Sequence, residues 1–344
     1  MHFSEFLKQS ADAIDTEIEA YFTNWNKEIA QLSPHLTPLT TALGGAASGG
    51  KRIRGALVIL GYALNSSKPE SKSSDLLKIA VAYEIFQTAI LAHDDIIDKS
   101  PTRRGKPALH MQLGGEHYGT SQTICLGDIG FFLAFRIIAE SNFPEKEKNK
   151  AIAFFSKAIL DTVLGEMLDV ELSQKSSRVS EKDVLAVSRL KTAYYTFVGP
   201  LTLGAVLGGA DDTCLNAIRI YGEHIGIAFQ IQDDIKDIFG TRESLKKEVG
   251  GDIKEGKNTL LLIKAKEKAN NNQLEILENY YGNAAIGTEQ IEAVKKVFVE
   301  TGALAYTESL VHAYSKKAHD AVSQITKDEQ MQNVLGEIIE FVSN

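Results

Sequence analysis

Residues Gln87–Lys99 read QTAILAHDDIIDK. Asp94, Asp95 and Asp98 follow an apolar run. Ile90, Asp94 and Asp98 recur every fourth residue, so on a helix they share one face. Carboxylates at the end of a greasy stripe are expected where an apolar cavity meets a charged mouth. A second stretch, Phe229–Asp237 (FQIQDDIKD), answers the first. Gly226, Gln230, Asp233 and Asp237 again stack at spacings of three or four.

Either stretch alone fits a solvated acidic helix face. The pair fits it poorly, because Ile96, Ile97, Ile235 and Ile238 leave such helices little polar surface to expose. Two carboxylates at i and i+4 repel by about 1 kcal/mol in a wet site. A bridging divalent cation reverses that. Oxygen ligands without His or Cys select a hard ion, and Mg²⁺ keeps waters and shares its coordination with phosphates. Two such clusters facing each other would clamp several Mg²⁺ ions around a diphosphate, and the apolar stripe would hold a hydrocarbon tail.

The 344 residues carry a net charge of −8 and are 44% hydrophobic, enough for a large core. Mild acidity argues against a nucleic-acid partner. Cys125 and Cys214 are the only cysteines, so a reducing compartment fits. The start of the chain, MHFSEFLKQSADAIDTE, has no basic leader and no apolar core, so a cytoplasmic protein is expected. The apolar runs near Ile79–Ala92 and Thr196–Ala210 are short, or broken by Glu84, Gln87 and Pro200, so no membrane span is expected.

Hydrophobic periodicity predicts an all-α chain with helices near 5–31, 51–65, 74–98, 119–140, 146–176, 181–192, 194–209, 212–239, 259–269, 287–301, 303–326 and 328–342. No alternating strand pattern competes. No linker divides the chain and no repeat of 20–50 residues is found, so residues 1–344 read as one helical domain around a central cavity.

Four basic stretches accompany the carboxylates. Gly49-Gly50 precede a predicted helix start at Lys51, which sets Lys51 and Arg54 on one face as an anion site. Arg103-Arg104-Gly105-Lys106-Pro107 follows the first motif; two adjacent arginines point in different directions and could serve two phosphates. Lys191-Thr192 is expected to close one helix before a Gly199-Pro200 break. Lys247 and Lys257 flank Gly250-Gly251-Asp252 in a polar loop able to fold over a charged mouth. Each stretch alone has a plain alternative: a basic helix start, a basic turn, dipole compensation, a surface loop.

Together these motifs resemble the trans-isoprenyl diphosphate synthase (polyprenyl synthetase) family. The resemblance runs from about Gly49 to Leu261 and includes GGKRIR, DDIID, RRGKP, GEMLDVE, KTA, FQIQDDIKD and GGDIKEGKNTL, in order and at matching spacing. It implies the isoprenoid synthase helical bundle, a homodimer and about three Mg²⁺ per site. It also implies the reaction. An allylic diphosphate loses diphosphate, the C4 carbon of isopentenyl diphosphate attacks the resulting cation, and proton loss forms a trans double bond.

Carried over by position, Asp94, Asp98 and Asp233 resemble the family's Mg²⁺ ligands, with Asp95, Asp234 and Asp237 in or next to that shell. Arg103, Lys191, Lys247 and Lys257 would hold the allylic diphosphate. Lys51, Arg54, Gln87 and Arg104 would hold isopentenyl diphosphate without metal. The Lys191 carbonyl, Thr192 and Gln230 would face the cation. The departing diphosphate is the expected base, so His93 and His110 read as packing residues.

In the family, bulky residues four and five positions before the first aspartate stop growth early. Here those positions hold Ile90 and Ala89, neither aromatic, so growth to C20 or beyond is expected, with Phe86 and Tyr83 as deeper candidate floors. The resemblance keeps three alternatives open. A farnesyl (C15) synthase would close the floor earlier, and bacterial ones commonly carry a four-residue spacer where DDIID has two. A class I terpene cyclase would normally replace the second aspartate motif. A non-catalytic partner subunit would usually lose one of the two.

Overall fold

A computed structural model of the chain describes residues 2–66, 74–174, 178–241 and 249–343. The backbone falls into two compact units, one of residues 1–155 with 200–215, the other of residues 156–199 with 216–344.

The first unit is laid around helix α4 (Ser74–Ile97), which is apolar on most sides and accordingly buried. Against it pack α1 (Phe3–Leu32), α2 (Thr37–Ala47), α3 (Ile53–Ala63) and α6 (Glu116–Glu140). Helix α1 inserts Phe3, Phe6, Ile14, Ile18, Phe22 and Trp25, a stripe at helical spacing. Close approach depends on absent side chains. A Cβ on Gly130 of α6 would lie 2.8 Å from the Ala89 Cβ. A Cβ on Gly204, in α9 (Gly199–Leu207), would fall 1.9 Å from the Val58 carbonyl oxygen.

After α4 the chain forms a two-residue antiparallel ladder, β1 (Thr102–Arg103) with β2 (Lys106–Pro107), then the single turn α5 (Leu109–Gln112). The pattern reading missed this ladder because two residues carry no period. Gly105 at φ +73° and Arg104 at φ +54° make its turn.

The second unit holds α8 (Glu181–Val187), a π-helix (Ser188–Val198), α11 (Gly251–Glu255), α12 (Leu260–Lys268), α13 (Asn271–Tyr280), α14 (Thr288–Glu300), α15 (Ala303–Ile325) and α16 (Glu329–Ser343). Most of α7 (Glu145–Leu172) and of α10 (Asp212–Phe239) also belongs to it. Its core joins Ile227, Ile231 and Ile238 of α10 to Leu261, Val294, Phe298 and Val311. The buried Tyr221 hydroxyl donates to the Leu335 carbonyl at 2.7 Å, pinning α16 to α10.

Three expectations are corrected. Helix α3 starts at Ile53, not Lys51, because Arg52 is left-handed (φ +53°); Lys51 lies outside the helix and shares no helical face with Arg54. No break occurs at Lys191-Thr192 or at Gly199-Pro200. The helical path continues through the π-helix, where Gly199 N–H bonds the Tyr194 carbonyl five residues back. That wider turn is compatible with a proline, which supplies no N–H of its own. Helices α2, α5, α11 and α13 were not expected. Their sequences are short or rich in Gly, Thr and Asn, though the Asn270/Gln273 capping box of α13 was a usable signal.

By length and hydropathy α4 and α6 could each cross a membrane, yet 67% of the most apolar window of α4 is buried inside the protein.

Candidate active site

Asp98 N–H donates to the Asp94 carbonyl at 2.9 Å, so helical register runs through the first motif and sets Asp94 and Asp98 one turn apart. Their neighbour Asp95 is buried. It receives Arg103 through Nε at 2.8 Å and Nη2 at 2.6 Å, while Arg103 Nη2 also reaches Asp94 Oδ2 at 2.7 Å. Burial works against the Arg103 charge, but the two carboxylates outweigh it and hold it above its ordinary value. One arginine thus bridges two members of the motif. Asp98 stays exposed.

Arg104 diverges from Arg103 and donates to the Gly49 carbonyl at 2.9 Å, spanning the Gly49-Gly50 turn. Gly50 sits at φ +106°, a backbone that favours glycine, and a Cβ there would lie 2.8 Å from Arg104 Nη1. Burial, with Arg52, Arg54 and Arg103 nearby, lowers the Arg104 pKa; Glu84 opposes. The region is a concentration of positive charge. In the amide orientation that satisfies both neighbours, Gln87 accepts from Arg54 Nη1 at 2.9 Å and donates to Glu84 at 3.2 Å. Gly45, Gly49, Gly50, Asp95, Arg103 and Arg104 are among the residues lining a cavity of about 270 Å³ in this unit.

In the second unit the close approach of α10 to the π-helix assembles the other group. A Cβ on Gly226 would fall 2.3 Å from the Ala193 Cα. Beside that contact Thr192 Oγ1 donates to Gln230 Oε1 at 2.6 Å, and Gln230 Nε2 donates to Asp234 Oδ1 at 2.9 Å. Gly165 of α7 does the same for the lysine: its Cβ would lie 2.3 Å from Lys191 N, and Lys191 Nζ meets Glu166 and Asp169 at 2.8 Å each.

Lys257 Nζ lies 2.8 Å from the buried Asp234 and 3.6 Å from Asp252. Burial pulls the ammonium down, yet these carboxylates raise its pKa well above the ordinary lysine value. Asp237 accepts the Asp252 N–H at 2.8 Å and so ties α10 to the Gly250-Gly251 turn. Asp233 faces solvent. Lys247 lies outside the described residues.

Asp98 in the first unit and Asp233 in the second are exposed, and Asp94 is half-buried with one oxygen on Arg103; their carboxylates suit a hard divalent cation that completes its coordination with waters and phosphate oxygens. Asp95, Asp234 and Asp237 are engaged with Arg103, Lys257 and backbone N–H. Among the described residues no three Asp, Glu, His or Cys side chains converge on one point.

Tyr83 and Phe86 are fully buried, ring centroids 5.4 Å apart, and both rings meet Phe155 of α7, at 5.5 and 5.1 Å. Phe131 of α6 lies 6.0 Å from Phe86. Ala89 is buried toward Gly130, while Ile90 is half-buried. His93 Nε2 is 3.1 Å from the Ile124 carbonyl, and its ring meets Phe131 edge-on at 5.4 Å. His110 is buried in α5.

Sequence reasoning missed the partners of the site: Glu84, Arg52, Asp15, Glu166, Asp169, Asp252 and Phe155. Glu84 carried a signal as the lone charge in the apolar run Ile79–Ala92, and Arg52, Glu166, Asp169 and Asp252 lie within the quoted motifs GGKRIR, GEMLDVE and GGDIKEGKNTL, whose pairings spacing does not give.

The fold and these motifs define an enzyme of the polyprenyl synthase class. The chain belongs to the polyprenyl synthetase family, whose profile matches residues 38–301. A geranylgeranyl diphosphate synthase of Methanosarcina mazei is 30% identical over 295 residues, 86% of each chain. A geranylfarnesyl diphosphate synthase of Aeropyrum pernix is 30% identical over 300 residues, 86% of this chain and 90% of that one. The crystal structure of a geranylgeranyl pyrophosphate synthase from Corynebacterium glutamicum, complexed with isoprenyl diphosphate and magnesium, matches with a TM-score of 0.90 at 26% identity, over 100% of this chain and 99% of that chain.

Proposed function

We propose that the chain is a Mg²⁺-dependent trans-prenyltransferase that condenses isopentenyl diphosphate with an allylic diphosphate and releases an all-trans product of C20 or longer. The carrying observation is the Asp94/Asp98 pair at the end of a buried apolar helix whose deeper turns hold Phe86 and Tyr83. The relatives' names, geranylgeranyl and geranylfarnesyl diphosphate synthase, support the chain length.

Asp94, Asp98 and Asp233 are the assigned metal ligands, with about three ions per site. Bound Mg²⁺ supplies charge neutralisation to the leaving diphosphate. Arg103, Lys191, Lys247 and Lys257 hold the allylic diphosphate with preorganised positive charge, the dominant kind of catalytic stabilisation. Lys51, Arg54, Gln87 and Arg104 hold isopentenyl diphosphate. The Lys191 carbonyl with Thr192 and Gln230, the latter two joined at 2.6 Å, faces the allylic cation. The released diphosphate takes the proton, so His93 and His110 are not assigned as bases.

The partner of the active chain is a second copy. Leu160, Val163, Leu164 and Met167 form an i, i+3, i+4, i+7 stripe on α7, and each is 43–62% exposed. Such a face calls for cover. Leu164→Glu should shift the sedimentation of the protein from dimer to monomer; a monomeric wild type refutes the assignment.

The deciding experiment incubates purified protein with Mg²⁺, isopentenyl diphosphate and, separately, C5, C10 and C15 allylic diphosphates, then resolves the chains by mass. A single product of C20 or longer is expected. A C15 stop would make the chain a farnesyl synthase. No elongation with any primer would favour the cyclase or partner-subunit reading.

A further inference from the structure

Glu84 is the only charge in the apolar run Ile79–Ala92, and it is 2% exposed. A buried carboxylate persists only where donors surround it. Here there are three. Gly55 N–H, in the first turn of α3, donates to Oε1 at 2.8 Å. Arg52 Nη1 donates to Oε2 at 3.2 Å, and Gln87 Nε2 donates to the same oxygen at 3.2 Å. The Gly55 group is one of the four N–H donors that a helix start leaves unpaired, so Glu84 caps α3 from a neighbouring helix.

Arg52 is itself clamped. It is 3% exposed, and its Nε donates to Asp15 of α1 at 2.7 Å. A left-handed backbone is unfavourable for a residue other than glycine, and Arg52 adopts it (φ +53°) with its guanidinium between Asp15 and Glu84. Asp15, Arg52, Glu84, Gln87 and Arg54 form one continuous chain of contacts. Only the last two are assigned a ligand.

We infer that Glu84, braced by Arg52, is a positioning residue for isopentenyl diphosphate binding: it sets the amide orientation of Gln87, and through Gln87 the Arg54 guanidinium. The inference rests on the assignment of Lys51, Arg54, Gln87 and Arg104 to that diphosphate. The amide of Gln87 has two orientations of nearly equal shape. Glu84 admits only the one with nitrogen inward, which delivers the amide oxygen to Arg54 and keeps the second N–H for an acceptor.

The alternative role, a counter-charge that merely dilutes the positive region, has the opposite sign. Removing a negative charge near an anion site tightens anion binding if charge alone matters. Removing a positioning group weakens it. In Glu84→Gln an amide N–H₂ would face donors from Arg52 or Gln87, and the chain of contacts would lose its order.

The test measures steady-state KM for both substrates, with metal-free calorimetric titration of isopentenyl diphosphate, on wild type, Glu84→Gln, Glu84→Asp, Asp15→Asn, Lys51→Ala and Arg54→Ala. Glu84→Gln should raise KM for isopentenyl diphosphate about tenfold or more and leave KM for the allylic diphosphate within about twofold. Glu84→Asp, which keeps the charge, should recover part of the loss. Asp15→Asn, at a residue assigned to no ligand and with its side chain 47% exposed, should raise the same KM about threefold. It decides the matter if Glu84→Gln does not fold; an unchanged KM in Asp15→Asn then overturns the proposal. Tighter or unchanged isopentenyl diphosphate binding in Glu84→Gln, with Lys51→Ala and Arg54→Ala weakened, overturns the positioning role and spares the site assignment. Unchanged binding in Lys51→Ala and Arg54→Ala overturns the assignment and the proposal with it.

Discussion

Gly226 and Ala193 bring α10 and the π-helix so close that a Cβ on the glycine would fall 2.3 Å from the Ala193 Cα. One turn further along α10, Gln230 accepts the Thr192 hydroxyl at 2.6 Å. Gly226→Ala must push backbone away from backbone, because no flexible side-chain tip can yield. The expected cost is about 1–3 kcal/mol of stability. The Thr192–Gln230 contact should open and kcat should fall at least about tenfold. Calorimetric melting and single-turnover kinetics check both.

The two faces of the first motif predict two kinds of variant. Asp98→Asn changes an exposed carboxylate, so it should leave melting nearly unaltered. It should lower kcat about 100-fold, or ~2.7 kcal/mol of barrier, and raise the Mg²⁺ concentration needed for half-maximal rate. Asp95→Asn removes the buried partner of Arg103 and should cost stability, about 1–3 kcal/mol. A magnesium titration beside a melting curve for each variant separates the effects. Chelation of the metal should abolish turnover in wild type.

Phe86 stands between Tyr83, Phe155 and Phe131. Phe86→Ala should lengthen the product and destabilise the fold by about 3–5 kcal/mol. Phe155 remains beyond the space Phe86 vacates, so Phe86→Ala with Phe155→Ala should lengthen it further. Mass analysis of the dephosphorylated products gives the answer; unchanged length in Phe86→Ala removes Phe86 as the floor.

His224 of α10 stacks near Tyr314 of α15, centroids 5.8 Å apart. Burial first, then the Lys317 charge, lowers its pKa below the usual 6.5. A depressed folded value means the unfolded chain takes up the proton more readily. The stability tied to the neutral ring is therefore complete above about pH 6.5 and lost as pH falls below it. Wild type should lose more melting temperature than His224→Gln between pH 7 and pH 5. Equal slopes would show that other groups carry the acid sensitivity.

Much of the site was legible because its chemistry is written in side-chain type and spacing. The doubled D-D-x-x-D motifs, the Gly49-Gly50-Lys51 start and the Arg103-Arg104 pair name the carboxylates and cations without any coordinates. The contacts of Asp95 were not legible. Nothing in DDIID says that Asp95 is buried and that Arg103 bridges it to Asp94 while Asp98 stays exposed. Nor does the sequence say that Lys191 lies between Glu166 and Asp169, which are 25 and 22 residues earlier in the chain.

Periodicity and motif order determined the all-α class, the long helices and the family, since both are local properties of the chain. Tertiary structure alone decided which helix start Arg54 occupies, how Pro200 is absorbed by a π-turn, and where Glu84 finds its donors. Those outcomes depend on close approach between segments distant in sequence, at Gly130, Gly165, Gly204 and Gly226, and on one left-handed arginine. A glycine in the sequence does not say which backbone will meet it, and a buried charge does not name its partner.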